Sequence, residues 1–378
     1  MLLLIACGTR PAGGQDVLEQ AQAFFATRPR HETPLDVGTA PPGLSLSAES
    51  CASCHAEIYE QWKVSTHAAA WTDPQYQAEI RKSGNRWLCL NCHTPLMVQQ
   101  KQWPVGLEDD DVERPVLVDN PVFDAALREE GITCVACHLQ DGAIHGPGRS
   151  SGAPHPVQAD ERFTDSRICL RCHQAVAVYP NKGFVCTFDT GEEWRASPYA
   201  AEGTGCIDCH MPKRSAETAP GVEREIRAHW WKGAGIPKEA GVHPPAEANQ
   251  PGLALQASWS PDELLLIATN ANAGHKLPSG DPERWVQLDV VFVDAGGDEV
   301  GRWSERIGQS WQWWPEVKKL GDNRLEPKES RSHAVPVPPT AVGARVEASS
   351  HRMTKEAIEF HDLEGYPVSI VTHRLELP

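Results

Sequence analysis

Ten of the 12 cysteines in this 378-residue chain repeat one arrangement, Cys-x-x-Cys-His, at Cys51/Cys54/His55, Cys89/Cys92/His93, Cys134/Cys137/His138, Cys169/Cys172/His173 and Cys206/Cys209/His210. Two thiols at that spacing form thioethers to the vinyl groups of a porphyrin. The adjoining imidazole is then held under the ring as an iron ligand, and this is the attachment signature of c-type haem. A zinc ribbon would instead pair two Cys-x-x-Cys knuckles in one site, and a thioredoxin-like redox pair would sit beside a βαβ unit. Neither needs a histidine directly after each second cysteine, so five covalent haems c are expected.

Each iron has a second axial position, and its occupant separates electron transfer at six-coordinate iron from catalysis at an open site. Methionine is nearly excluded, because Met1 lies in the leader and Met211, adjacent to His210, cannot reach the opposite face of its own haem; Met97 and Met353 are the others. Of the 16 histidines, 11 remain once the motif histidines are counted, so ligation by two histidines is the default expectation. His67 follows His55 by 12 residues through a stretch that reads as helix, about 18 Å of rise, so it must serve a neighbouring haem. His145, His155 and His229 lie between or just after the motifs, and His275 sits in the Gly/Pro-bracketed loop 274–280. With His67 these are the candidate distal ligands; His243 is a weaker one, and His31, His333, His351, His361 and His373 read as ordinary surface residues.

The elements that must position these groups fall into two textures. The motif histidines are 38, 45, 35 and 37 residues apart, and the intervening stretches are not self-similar and are short of Leu, Ile and Val. Haem is therefore expected to supply most of the buried apolar surface, and the apoprotein of this region is expected to be unfolded. Beyond about residue 250 alternating apolar runs take over, as in 253–259, 263–269, 285–293, 344–348 and 368–372, separated by turn signals such as Asp294-Ala295-Gly296-Gly297-Asp298. This pattern fits about seven antiparallel strands in a sandwich. The expected architecture is an α+β two-domain chain, with a mostly helical, loop-rich pentahaem domain over 51–250 and an antiparallel β-sandwich over 251–378. Trp311, Trp313 and Trp314 read as core packing or a lid over haem, with a carbohydrate- or partner-docking face as the alternative. Cys186, outside the motifs, reads as a buried thiol, and Glu108-Asp109-Asp110-Asp111 as a solvated loop, with calcium binding as its alternative.

Covalent haem c attachment takes place outside the cytoplasmic membrane, so an export signal is expected. Leu4-Ile5-Ala6-Cys7 fits a lipobox, with residues 1–7 as the signal and Cys7 as the lipidated residue. Residues 8–50 read as a helix and a flexible spacer rich in Pro, Gly, Thr and Ser. The expected location is the periplasmic side of the envelope, anchored by lipid to the outer membrane, with the cell surface as an alternative. A formal charge of -16, from 35 Lys+Arg against 51 Asp+Glu, argues against a nucleic-acid partner. Ten propionates and five ferric centres would take the oxidised holoprotein to about -21, which favours a basic redox partner or another multihaem cytochrome. No stretch approaches the roughly 20 apolar residues that span a bilayer.

The residues resemble the multihaem cytochrome c superfamily that includes hydroxylamine oxidoreductase, its small tetrahaem electron acceptor and pentahaem nitrite reductase. The resemblance covers about residues 51 to 235. It is carried by Cys51 to Ala70 with Trp62 and Ser65-Thr66-His67-Ala68, by Gly131-Ile132-Thr133 before Cys134, and by Met211-Pro212 and His229-Trp230-Trp231-Lys232-Gly233 after Cys209-His210. It implies a haem scaffold for electron transfer, with His67 and a histidine after the last motif as distal ligands. The Cys-x-x-Cys-Lys motif of the nitrite reductases is missing, and none of Tyr59, Tyr76, Tyr179, Tyr199 and Tyr366 matches the cross-linking tyrosine of hydroxylamine oxidoreductase. No catalytic site carries over, so the expectation is an electron carrier, with reduction or oxidation of a small nitrogen or sulfur oxyanion at one five-coordinate haem as the alternative.

Overall fold

The computed structural model describes residues 12–83, 87–148, 152–164, 167–179, 184–231, 233–238, 251–313 and 315–378. Cys7 with its signal segment, His243 and Trp314 lie outside the described residues.

Short helices carry the haem motifs. Cys51 lies in Ala48–Ala52, and the other motif helices are Trp87–His93, Cys134–His138, Leu170–His173 and Cys206–His210. One helical turn is what the motif requires, because residues three and four apart share a helix face, which aligns both thiols and the imidazole. The turn is closed by His55 N donating to the Cys51 carbonyl at 2.8 Å, and likewise by His173 N to Cys169 at 3.0 Å. This half holds more strand than its loop-rich sequence suggests. Hairpins form between Gln102–Leu107 and Pro115–Asp119, between Ala175–Tyr179 and Phe184–Phe188, and between Lys213–Ala219 and Val222–Arg227. Each supplies its own backbone hydrogen bonds where there is little apolar surface to drive helix packing.

The apolar clusters here are small. Six buried residues, among them Phe25, Trp87, Met97 and Trp103, bring the helix Ala12–Phe25 onto the second motif helix. Five more, including Val37, Leu96, Leu127 and Val135, form a second cluster. The segment expected to be a flexible spacer is laid onto this surface: Leu35 N donates to Pro95 O at 2.6 Å, Met97 N to Leu35 O at 2.9 Å, and Val37 is buried. Its few apolar residues outweigh its turn-forming composition.

From residue 253 onward the alternation becomes two antiparallel sheets. Leu253–Trp259, Glu263–Asn270 and Ser330–Pro336 form one; Lys318–Asp322, Glu299–Gln312, Trp285–Val293, Gly343–His351 and Ser369–Leu377 form the other in that spatial order. Every second residue of Trp285–Val293 and of Glu263–Asn270 is buried, the period-two pattern of a strand with one covered face. Leu264, Leu266, Leu288, Val290, Phe292, Ile307 and Val346 from both sheets meet in one cluster of 14 buried residues. None of the described helices is long and apolar enough to cross a membrane.

Candidate functional site

Four of the five motif histidines stand opposite a second histidine at nearly the same separation. Ring centres are 6.4 Å apart for His55 and His155, 6.3 Å for His67 and His173, 6.2 Å for His138 and His229, and 6.1 Å for His210 and His275. Two imidazoles bound to one metal through nitrogens at about 2.0 Å place their ring centres about 6 Å apart, so one iron fits each pair.

The hydrogen bonds choose which nitrogen faces that gap. Nδ1 of His55 bonds the Thr218 carbonyl, and Nδ1 of His93, His138, His229 and His275 bonds the carbonyls of Ala70 (2.7 Å), His145, Arg227 and Lys276 (each 2.8 Å). A carbonyl only accepts, so Nδ1 carries the proton and Nε2 presents its lone pair, the usual arrangement of a metal-ligating histidine. Burial pushes His67 down to about 3 and His93, His173 and His229 down to about 4, which keeps these imidazoles neutral and able to ligate.

Local structure explains each position. The His67 carbonyl accepts from Ile132 N at 3.0 Å, and a Cβ on Gly131 would lie 2.8 Å from that carbonyl oxygen and 2.9 Å from that of Ala68. Gly131, with φ of 59°, is therefore what lets the approach to Cys134 cross the His67 segment. Trp62 Nε1 donates to Ile132 O at 2.8 Å, fastening the helix Ala56–Lys63 to the same loop. His229 N donates to Gln61 Oε1 at 2.8 Å. His275 is delivered by a docked loop, where Tyr199 Oη donates to Ala271 O (2.7 Å), Ser279 Oγ donates to Glu193 (2.6 Å) and Asn270 Nδ2 donates to the His275 carbonyl (2.9 Å).

The motifs are also brought against one another. Cys51 hydrogen-bonds Cys134, Cys92 hydrogen-bonds Cys172, and Cys169 hydrogen-bonds Cys206 through their side chains. Trp231 packs edge-on against both His67 (4.4 Å) and His229 (5.3 Å), joining the His67/His173 and His138/His229 pairs. Trp231 stands in the 229–233 segment that carries the resemblance, but nothing in the sequence assigns it a role of its own.

Cys54 departs from the pattern of the other motif cysteines. All ten were expected to play the same part in haem attachment, yet Cys54 is exposed while the other nine are half-buried. The physical reason is local: the helix Ala48–Ala52 ends two residues before it, so Cys54 sits in the following turn, where the Ser53 hydroxyl donates to its Sγ at 3.9 Å. The spacing from Cys51 and the adjoining His55 still fit it as the second thiol of the first motif, but the polypeptide encloses that thiol less than it does the others.

His93 differs from the other four motif histidines. Tyr76 lies flat on its ring with centres 3.7 Å apart and planes 2° apart, and among the described residues no imidazole stands opposite it. The Tyr76 hydroxyl is buried without a hydrogen-bond partner among the described residues. An orphaned buried hydroxyl beside a cysteine pair fits the edge of a bulky group that the polypeptide alone does not supply. Cys89, Cys92 and His93 are the residues that would hold haem there.

The other candidates fall elsewhere. The His145 ring bonds Asp160 at 3.2 Å and stands opposite none of the motif histidines; its contribution is the carbonyl that orients His138. His361, expected at the surface, has a side chain only 8% exposed and paired with Glu79 at 3.1 Å, because the helix Lys355–His361 packs on Pro74–Ser83. Cys186 is half-buried on Phe184–Phe188, more open than expected. Trp311 and Trp313 stack at 5.6 Å outside the sheet core. Arg114 pairs with Glu108 (2.5 Å) and Asp109 (2.6 Å), and no group of three or more His, Cys, Asp or Glu among the described residues is placed to hold a calcium ion.

Residues 50–116 match the family described as cytochrome c554 and c-prime. The structure is similar to a crystal structure of a penta-heme cytochrome c552 from Thermochromatium tepidum, with a TM-score of 0.61 and 18% identity over 93% of this chain and 100% of that one. The chain shares its fold with that cytochrome. No curated protein sequence matches the chain.

Proposed function

We propose that this chain is a pentahaem c-type cytochrome that carries electrons, exported and held by lipid at Cys7 on the periplasmic side of the envelope, and serving basic or other multihaem redox partners. The observation that supports it best is the recurrence of four imidazole pairs at 6.1–6.4 Å, each containing one Cys-x-x-Cys-His histidine. Bound haem supplies a one-electron iron couple at each motif. The residues around it fix the imidazole tautomers through backbone carbonyls, exclude water by burial and bring successive motifs into contact. Ligation is read as His55/His155, His138/His229, His173/His67 and His210/His275, so His67 and His275 each reach across from a distant segment. Intact-mass measurement of the mature holoprotein tests the haem count and the lipid on Cys7 together. Electron paramagnetic resonance of the oxidised protein tests the ligation, and fewer than four low-spin ferric signals would sink it.

A second reading is favoured by the His93 surroundings, where Tyr76 covers the imidazole and no second imidazole is seen among the described residues. On that reading the His93 haem keeps an open position and reduces or oxidises a small nitrogen or sulfur oxyanion. A high-spin ferric signal that responds to cyanide or nitrite supports it; five low-spin signals would leave the protein as a carrier alone.

A further inference from the structure

Beside the His93 segment the interior holds three cations and one carboxylate. Lys238 pairs with Asp73, whose second oxygen accepts from Tyr366 Oη at 2.6 Å. Arg352, 5% exposed, donates to the Tyr366 hydroxyl and to the carbonyls of Ile236 (2.7 Å) and Pro237 (3.2 Å), while its Nε has no hydrogen-bond partner among the described residues. Arg284 precedes the strand Trp285–Val293, with Nη1 3.9 Å from the Cβ position of Gly280 and the Phe188 ring 3.5 Å from that position. Its charge bears on Lys238, Arg352 and His173, and among the described residues it forms no carboxylate ion pair. The cluster is tied to the motif by backbone: Asp73 N donates to Ala69 O at 2.9 Å, and the next carbonyl, Ala70, receives His93 Nδ1.

Among the described residues Asp73 is the carboxylate that meets Lys238 and Arg352, and the Arg284 charge acts on both of those cations, so one carboxylate stands against three positive charges where Asp73 and Arg352 are both buried. Buried charge without compensation is strongly unfavourable, and a guanidinium with a spare N–H beside an ammonium is the recognition chemistry of carboxylates and related oxyanions.

We propose that Lys238, Arg284 and Arg352 form an oxyanion site at the His93 haem. The inference rests on the reading that the His93 motif carries haem. Its anion has one chemistry and two sources, a propionate of that haem or a small free oxyanion brought to the open position. In either case the cations favour electron gain at His93 and set its potential above what burial alone would give.

The test uses the full-length holoprotein and the variants Arg284→Gln and Arg352→Met, with Arg284→Lys as the charge-retaining control; Arg284, at a strand start, is the variant that leaves the buried Tyr366 network intact. Intact mass counts haems, spectroelectrochemistry resolves the reduction steps, and nitrite is titrated as the probe anion. In Arg284→Gln one step moves to lower potential by roughly a tenfold change in oxidised-to-reduced ratio, 59 mV for one electron, the other steps stay, and Arg284→Lys restores it. A propionate source makes the shift independent of nitrite. With a free oxyanion the shift is full without nitrite and shrinks as nitrite is added, and nitrite binding weakens by about tenfold. Five haems with no step moved and an unchanged nitrite titration overturn the site alone. A four-haem protein lacking the His93 group overturns the haem reading and the site together.

Discussion

Trp231 is a bulky residue held at a φ of 48°, a backbone region that side chains of its size rarely adopt. It is kept there by edge-on contacts with His67 and His229. Trp231→Leu should retain the backbone strain while removing the wedge, so two low-spin signals broaden together in the paramagnetic resonance spectrum; a change in one alone would refute a shared support. His67→Ala should leave His173 without its partner imidazole, converting one haem to high spin and raising its potential, and an unchanged spectrum eliminates the assignment. Gly131→Ala places a Cβ 2.8 Å from the His67 carbonyl at a left-handed position that by itself costs about 1–2 kcal/mol, so the variant should lose at least that much stability in denaturant titration.

The elements divide by what holds them. Motif helices of four to seven residues are too short to persist alone and are fixed by the side chains they present. The two sheets, by contrast, share 14 buried residues of their own. Leu288→Ala, at a fully buried position, should cost about 2–5 kcal/mol in the unfolding of the sheets, followed by tryptophan fluorescence, while the haem absorbance of the folded protein stays unchanged. The strand alternation was legible because a covered sheet face imposes period two on its own residues. The hairpins among the motifs were less legible, since Lys213–Ala219 and Val222–Arg227 lie largely exposed with little apolar pattern and the strands of the other two are only five or six residues long.

At the scale of the whole molecule, the apolar clusters that the described residues of the motif-bearing half form among themselves are two and small, set against five expected macrocycles. Preventing haem attachment should therefore abolish its native circular dichroism, because cofactor binding and folding are one equilibrium when the cofactor is the core. A native-like spectrum from haem-free protein would refute this. The acidic balance acts at the same scale. With a Debye length of about 30 Å at 0.01 M salt and about 8 Å at 0.15 M, association with a basic redox partner should slow by roughly tenfold across that range, and a flat salt profile would exclude electrostatic steering.

The expected attachment sites were legible in sequence alone, because two thioethers and a proximal imidazole need only one helical turn and so leave a contiguous signature. How far each thiol is enclosed was not, as the exposed Cys54 beside nine half-buried counterparts demonstrates. That His67 cannot serve its own haem also followed from chain length and helix rise. Which imidazole faces which was decided by the tertiary structure. His67 meets His173 across 106 residues, and His275 reaches His210 only because a loop of the sheet region docks on Thr190–Arg195. His145 looked as eligible as His155, yet one faces Asp160 and the other His55. Such pairings close long loops through space, and no local pattern in the chain records where those loops meet.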